Sequence, residues 1–150
     1  MDKTQVEMVR EIIFNENEME ALEKVKEVHD SKLLYALIDN YNWSNGFEIP
    51  RAVLANNFCD SGVALLTFYR ADGYRLLEDK DVYKAHSISD WGGFIKDLYD
   101  RIKLADFKLS NVEFIPELTK VQKFKLKKVN PDLPPVFFDG TIGEKVNIIV

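Results

Sequence analysis

Apolar residues recur at helical spacing through the first two-thirds of this chain, then give way to prolines and alternating lysines. These two observations predict a mainly α fold, a single compact domain over residues 1–150 with about five to seven helices and a small C-terminal β element. The size agrees: 150 residues with 46% apolar content can bury roughly 70% of the surface exposed by the unfolded chain.

From Thr4 to Phe14, Val6, Met8, Val9, Ile12 and Ile13 share helical spacing with no Gly or Pro between them. Asn15 or Asn17 then caps a second helix reaching about His29, with Ala21, Leu22, Val25 and Val28 on one side. Opposite them Glu16, Glu20, Glu23 and Glu27 form an acidic stripe, in which only Glu20 has a lysine four residues on, Lys24. Asp30 or Ser31 opens a third helix whose buried face is Leu33, Leu34, Leu37, Ile38 and Tyr41.

The run Asn42-Trp43-Ser44-Asn45-Gly46 makes a corner in which Gly46 supplies a permissive φ, and Pro50 suits the first turn of a short helix closed by Asn56 and Asn57. Asp60 or Ser61 caps the next helix, Val63 to Arg70, whose near-continuous apolar run marks it as the most buried. Gly73 is expected to end it in the left-handed position. Residues 74–88 read as a helical turn and a polar loop, and Ser89 or Asp90 opens a long helix carrying Trp91, Phe94, Ile95, Leu98, Tyr99 and Ile102.

Beyond Asp106 the pattern changes. Ile115-Pro116-Glu117 can start one more short helix. Lys123 to Lys127 alternates as a strand does, Pro131, Pro134 and Pro135 forbid a continuing helix, and Val136–Phe138 and Val146–Val150 read as short strands.

The net charge of −5 is unevenly placed. Residues 1–60 hold 6 Lys or Arg against 12 Asp or Glu, residues 61–110 hold 8 of each, and residues 111–150 hold 6 against 5. An acidic N-terminal field favours basic partners and opposes nucleic acid on that side. No apolar run reaches the roughly 18 residues of a membrane span, so no membrane partner is expected. A single cysteine, Cys59, allows no intrachain disulfide, and with no signal-peptide pattern the expected location is cytoplasmic.

Residues with chemistry in them are sparse. Cys59 has only His29 and His86 as possible bases, and its position between Phe58 and Asp60, with no cation nearby in sequence, reads as buried packing. His29, Asp30, Asp60, Asp72 and His86 are available as metal ligands, but at spacings that match no zinc motif. No phosphate-binding glycine loop, nucleophile elbow or dinucleotide fingerprint is present, so no cofactor is implied. The segment Lys120–Lys128 carries five lysines with Phe124 and Leu126 between them, which reads first as a protected edge strand and second as a nucleic-acid contact.

Tyr41-Asn42-Trp43, Gly46 to Pro50, the junction from Asn57 to Asp60, Ala64-Leu65 with Phe68, and Ala71 to Tyr74 together resemble a family of small bacterial proteins known as the domain of unknown function family 4274. The resemblance spans about residues 33–77 and implies a family-like core over about 31–105; the C-terminal extension with the short strands read above, about 121–150, lies outside it. It implies no activity. An acidic residue often stands in the family where this chain has Ser44 or Asn45, which argues against a metal or catalytic site at the corner. The family resembles the cytoplasmic immunity proteins that accompany secreted bacterial toxins.

The expected function is therefore a non-enzymatic protein-binding module of the immunity or inhibitor kind. Glu16, Glu20, Glu23 and Glu27, with Trp43, would face a basic protein partner. The alternatives are a small metal-dependent enzyme around Asp60, Asp72 and His86, and a regulator touching nucleic acid through Lys120–Lys128.

Overall fold

The computed structural model describes residues 3–84, 89–108 and 110–150. Among these, nine α-helices follow one another: α1 (Lys3–Ile13), α2 (Glu18–Lys26), α3 (Ser31–Asp39), α4 (Glu48–Ala55), α5 (Ser61–Arg70), α6 (Tyr74–Glu78), α7 (Ser89–Lys103), α8 (Lys120–Val129) and α9 (Val136–Asp139). The number exceeds the expected five to seven partly because α6 and α9 are single turns of five and four residues.

The helix starts follow side-chain chemistry. Asn17 accepts from the Glu20 amide to cap α2, Asp30 from the Lys32 amide to cap α3, and Asp60 from the Val63 amide to cap α5. In α5 every residue from Gly62 to Phe68 is buried. That helix packs against α3 on one side and α7 on the other, while α2 lies on α1 and α4. Burial of residues such as Leu65, Leu66 and Phe68 stabilises the fold by roughly 1.5–3 kcal/mol each. One apolar core draws on side chains from Val9 to Phe138.

The turn after α5 differs from expectation. Asp72, not Gly73, takes the left-handed conformation, with φ of 66°. Gly73 is helical, and glycine is required there for space: a Cβ would lie 2.5 Å from the Phe68 carbonyl oxygen and 2.6 Å from its ring.

The C-terminal third departs most from the sequence reading. Lys120–Val129 is a helix and not a strand. Thr119 and Gln122 form a reciprocal capping box at its start, and Asn130 at its end donates to the Leu77 and Leu126 carbonyls, which ties α8 to α6. Residues 136–138 are helical as well, because Pro135 begins a turn in helical geometry. Among the described residues no sheet forms. Isolated bridges join Val112 to Glu144 and Phe114 to Thr141, and Thr141 is locked between them, accepting from the Phe114 amide and donating to the Val112 carbonyl. Residues 146–150 do alternate, with Val146, Ile148 and Val150 half-buried, yet they pack on the core without a ladder partner.

Candidate functional site

The acidic surface is built by α1, α2 and the short link between them. Asn15 accepts from the Asn17 amide and Asn17 from the Glu20 amide, so the short link between the helices is fixed by its own side chains. Ala21, Val25 and Val28 go inward, and Glu16, Glu20, Glu23 and Glu27 are all exposed.

The charge pairing is not the one the spacing suggested. Lys24 reaches Glu11 of α1, 3.7 Å away, instead of Glu20, and Lys26 pairs with Glu23 at 3.0 Å. Among the described residues Glu16, Glu18, Glu20 and Glu27 have no cation within 4.0 Å. Residues 3–27 hold seven glutamates against four basic side chains.

Two apolar side chains that the sequence reading did not single out stand in this field. Phe14 at the end of α1 is 63% exposed and Met19 in α2 is 79% exposed. Phe14 lines two neighbouring hollows. One, of about 460 Å³, runs between the end of α1, Glu16, Glu18, Tyr41 and Asn45, and the other is bordered by Arg10, Glu20 and Lys24. The Tyr41 hydroxyl is pushed up to about 12, first by burial and then by the Glu18 and Glu48 carboxylates nearby.

Trp43 sits on the same side of the molecule but is engaged inward. It lies in a 3-10 turn, Trp43–Asn45, capped by Asn42, and the Tyr41 hydroxyl donates to the Gly46 carbonyl at 2.7 Å to close the corner. Gly46 has φ of 94°, the permissive conformation expected of it. The Trp43 ring is half-buried, edge-on to Tyr41 at 5.3 Å and to Phe94 at 6.3 Å. The groove beside the stripe is therefore reached through Asn45 and Tyr41, and Trp43 acts behind it as a packing pillar.

A family described as Domain of unknown function (DUF4274) matches residues 29–103, half of the chain. The chain belongs to this family. Neither a curated protein nor a solved structure matches it. The DUF4274 unit thus comprises α3 to α7, with the corner and the buried α5 at its centre, and the acidic helices α1 and α2 flank it. Helices α8 and α9 flank it on the other side of the sequence.

Within the DUF4274 unit the proposed metal ligands are not gathered. Asp60 is buried and its carboxylate accepts from three amides, Val63 at 3.0 Å, Asn111 at 2.6 Å and Val112 at 3.0 Å. Asp72 is exposed beyond the other end of α5, roughly 15 Å away along a ten-residue helix. His86 lies outside the described residues. Among those described, no group of three or more His, Cys, Asp or Glu is placed to hold a metal ion. Cys59 is buried, and burial followed by the Asp60 carboxylate pushes its thiol up, away from thiolate. His29 is stacked on Phe58 at 5.2 Å. No helix among the described residues is long and apolar enough to cross a membrane.

In α8, Lys123 and Lys127 are both held by Asp139. Lys120, Lys125 and Lys128 are exposed beside Phe124, which is 68% exposed.

Proposed function

We propose that this protein is a non-enzymatic binding module of the immunity or inhibitor kind, working in the bacterial cytoplasm, whose α1–α2 face docks a basic protein partner. The observation that carries this reading is the exposed pair Phe14 and Met19 set among Glu16, Glu18 and Glu20, which have no cation within 4.0 Å among the described residues. Apolar anchors inside a charged rim supply the two components of recognition: desolvated contact for affinity, and complementary charge for rapid and selective encounter. Glu23 and Glu27 extend the field along α2.

The test is affinity capture from the native cell extract with the wild-type chain and with the Glu20→Lys, Glu23→Lys, Glu27→Lys variant, followed by binding of the purified candidate. A basic protein held stoichiometrically by the wild type and released by the variant supports the reading. Equal affinity for both chains refutes it.

A second reading is favoured by α8, where Lys120, Lys125 and Lys128 have no carboxylate within 4.0 Å among the described residues, stand beside exposed Phe124, and would present a basic, aromatic face to nucleic acid. Loss of all binding to single- and double-stranded probes even at low ionic strength removes it.

A further inference from the structure

A second concave site lies away from the acidic helices. α3, α5, the start of α6 and the extended segment leading into α8 enclose a cleft of about 460 Å³, within the range of small-molecule sites. Four of its ten lining residues are aromatic: Tyr35, Tyr69, Tyr74 and Phe114. Tyr69 donates its hydroxyl to the Phe137 carbonyl and stacks on Phe114 with centroids 5.7 Å apart and planes 29° apart, so this wall is fixed without a ligand.

The charge at the cleft decides what it takes. Arg70 is the cation in the lining, and it is committed to Asp39, with one terminal nitrogen 2.5 Å from the carboxylate and the other 3.1 Å from the backbone carbonyl. Glu117, on the opposite side, is exposed and has no cation within 4.0 Å among the described residues. The uncompensated charge is therefore negative, and it stands in a cleft lined by four aromatic rings, whose π-clouds also attract cations.

We infer that this cleft binds a small organic cation with an apolar body, of the quaternary ammonium class, held against Tyr69, Tyr74 and Phe114 and neutralised by Glu117. Nothing in this depends on the α1–α2 face. The cleft joins the DUF4274 tyrosines Tyr35, Tyr69 and Tyr74 to Phe114 and Glu117, which lie in the segment after that unit, so residues beyond the family match complete the site.

The test is titration of the full chain, followed by two-dimensional NMR, with choline, with its neutral carbon isostere 3,3-dimethylbutan-1-ol, and with benzoate. Choline is expected to shift resonances of the cleft residues and to bind roughly tenfold more tightly than the isostere, the scale of a partly desolvated cation–π contact. Glu117→Gln should weaken choline several-fold and leave the isostere unchanged, and as an exposed position it should not disturb folding. Tyr74→Leu should weaken both. Absence of choline binding, equal binding of choline and the isostere, or preference for benzoate would overturn the inference, the last by making Arg70 the recognising charge.

Discussion

Replacing Asp60 by alanine removes the acceptor shared by the start of α5 and the segment that follows Lys108. One carboxylate oxygen takes the Val63 amide and the other takes the Asn111 and Val112 amides. Val63 and Val112 are fully buried, so water cannot stand in for the lost partner. Two orphaned buried donors at about 2 kcal/mol each put the loss at about 4 kcal/mol. Asparagine keeps one acceptor oxygen but turns an amide NH₂ toward the remaining donors, and should cost about 2–3 kcal/mol, so it is not a conservative change here. Urea unfolding measures this directly: with a slope near 2 kcal/mol/M, the alanine midpoint should fall by about 2 M. Hydrogen exchange at Asn111 and Val112 should accelerate in parallel. A loss below about 1 kcal/mol for alanine would show that the carboxylate does not hold these amides, and would refute the reasoning.

Two glycines should respond in opposite directions. Gly73→Ala forces a methyl against the Phe68 carbonyl and ring and should destabilise by about 2–3 kcal/mol, whereas Gly93→Ala, open to solvent within α7, should stabilise by about 0.5–1 kcal/mol; thermal melts distinguish the two. Tyr41 gives a pH dependence. Its hydroxyl is held protonated up to about 12 by burial and by Glu18 and Glu48, so its contribution to stability is fully present below the ordinary tyrosine value near 10 and is lost as the pH rises from there to about 12. Urea midpoints measured across that window should fall in the wild type and fall less in Tyr41→Phe. Equal slopes would contradict the assignment.

The helices of the DUF4274 unit were legible because their signals are local. Asp30 and Asp60 cap where the sequence places them, and the run from Val63 to Phe68 is as buried as its composition implies. What failed was a pattern with two meanings. Lysine at every second position from Lys123 to Lys127 imitates a strand, but the Thr119–Gln122 capping box and a single buried residue, Leu126, make a helix whose other apolar residues stay exposed. Pro134 and Pro135 forbid a helix that continues through them, and α8 does stop at Val129, but proline in a first turn also starts a new one, as it does at Val136. The period of two at residues 146–150 was real as a burial pattern and silent about pairing. For the sites, the glutamate stripe was visible, since exposed charge follows helical spacing. Phe14, Met19 and the actual partner of Lys24 depend on how α1 meets α2. The tyrosine cleft draws residues from Tyr35 to Glu117, a separation no sequence window spans.

The most direct measurement is the association rate between the purified chain and the basic partner recovered by it, as a function of ionic strength, for the wild type and for the Glu20→Lys, Glu23→Lys, Glu27→Lys variant. If the α1–α2 face is the docking surface, the wild-type rate should fall steeply with salt, and the variant should associate at least roughly tenfold more slowly at low salt with an unchanged melting temperature. The same rate and the same salt slope for both chains would contradict it.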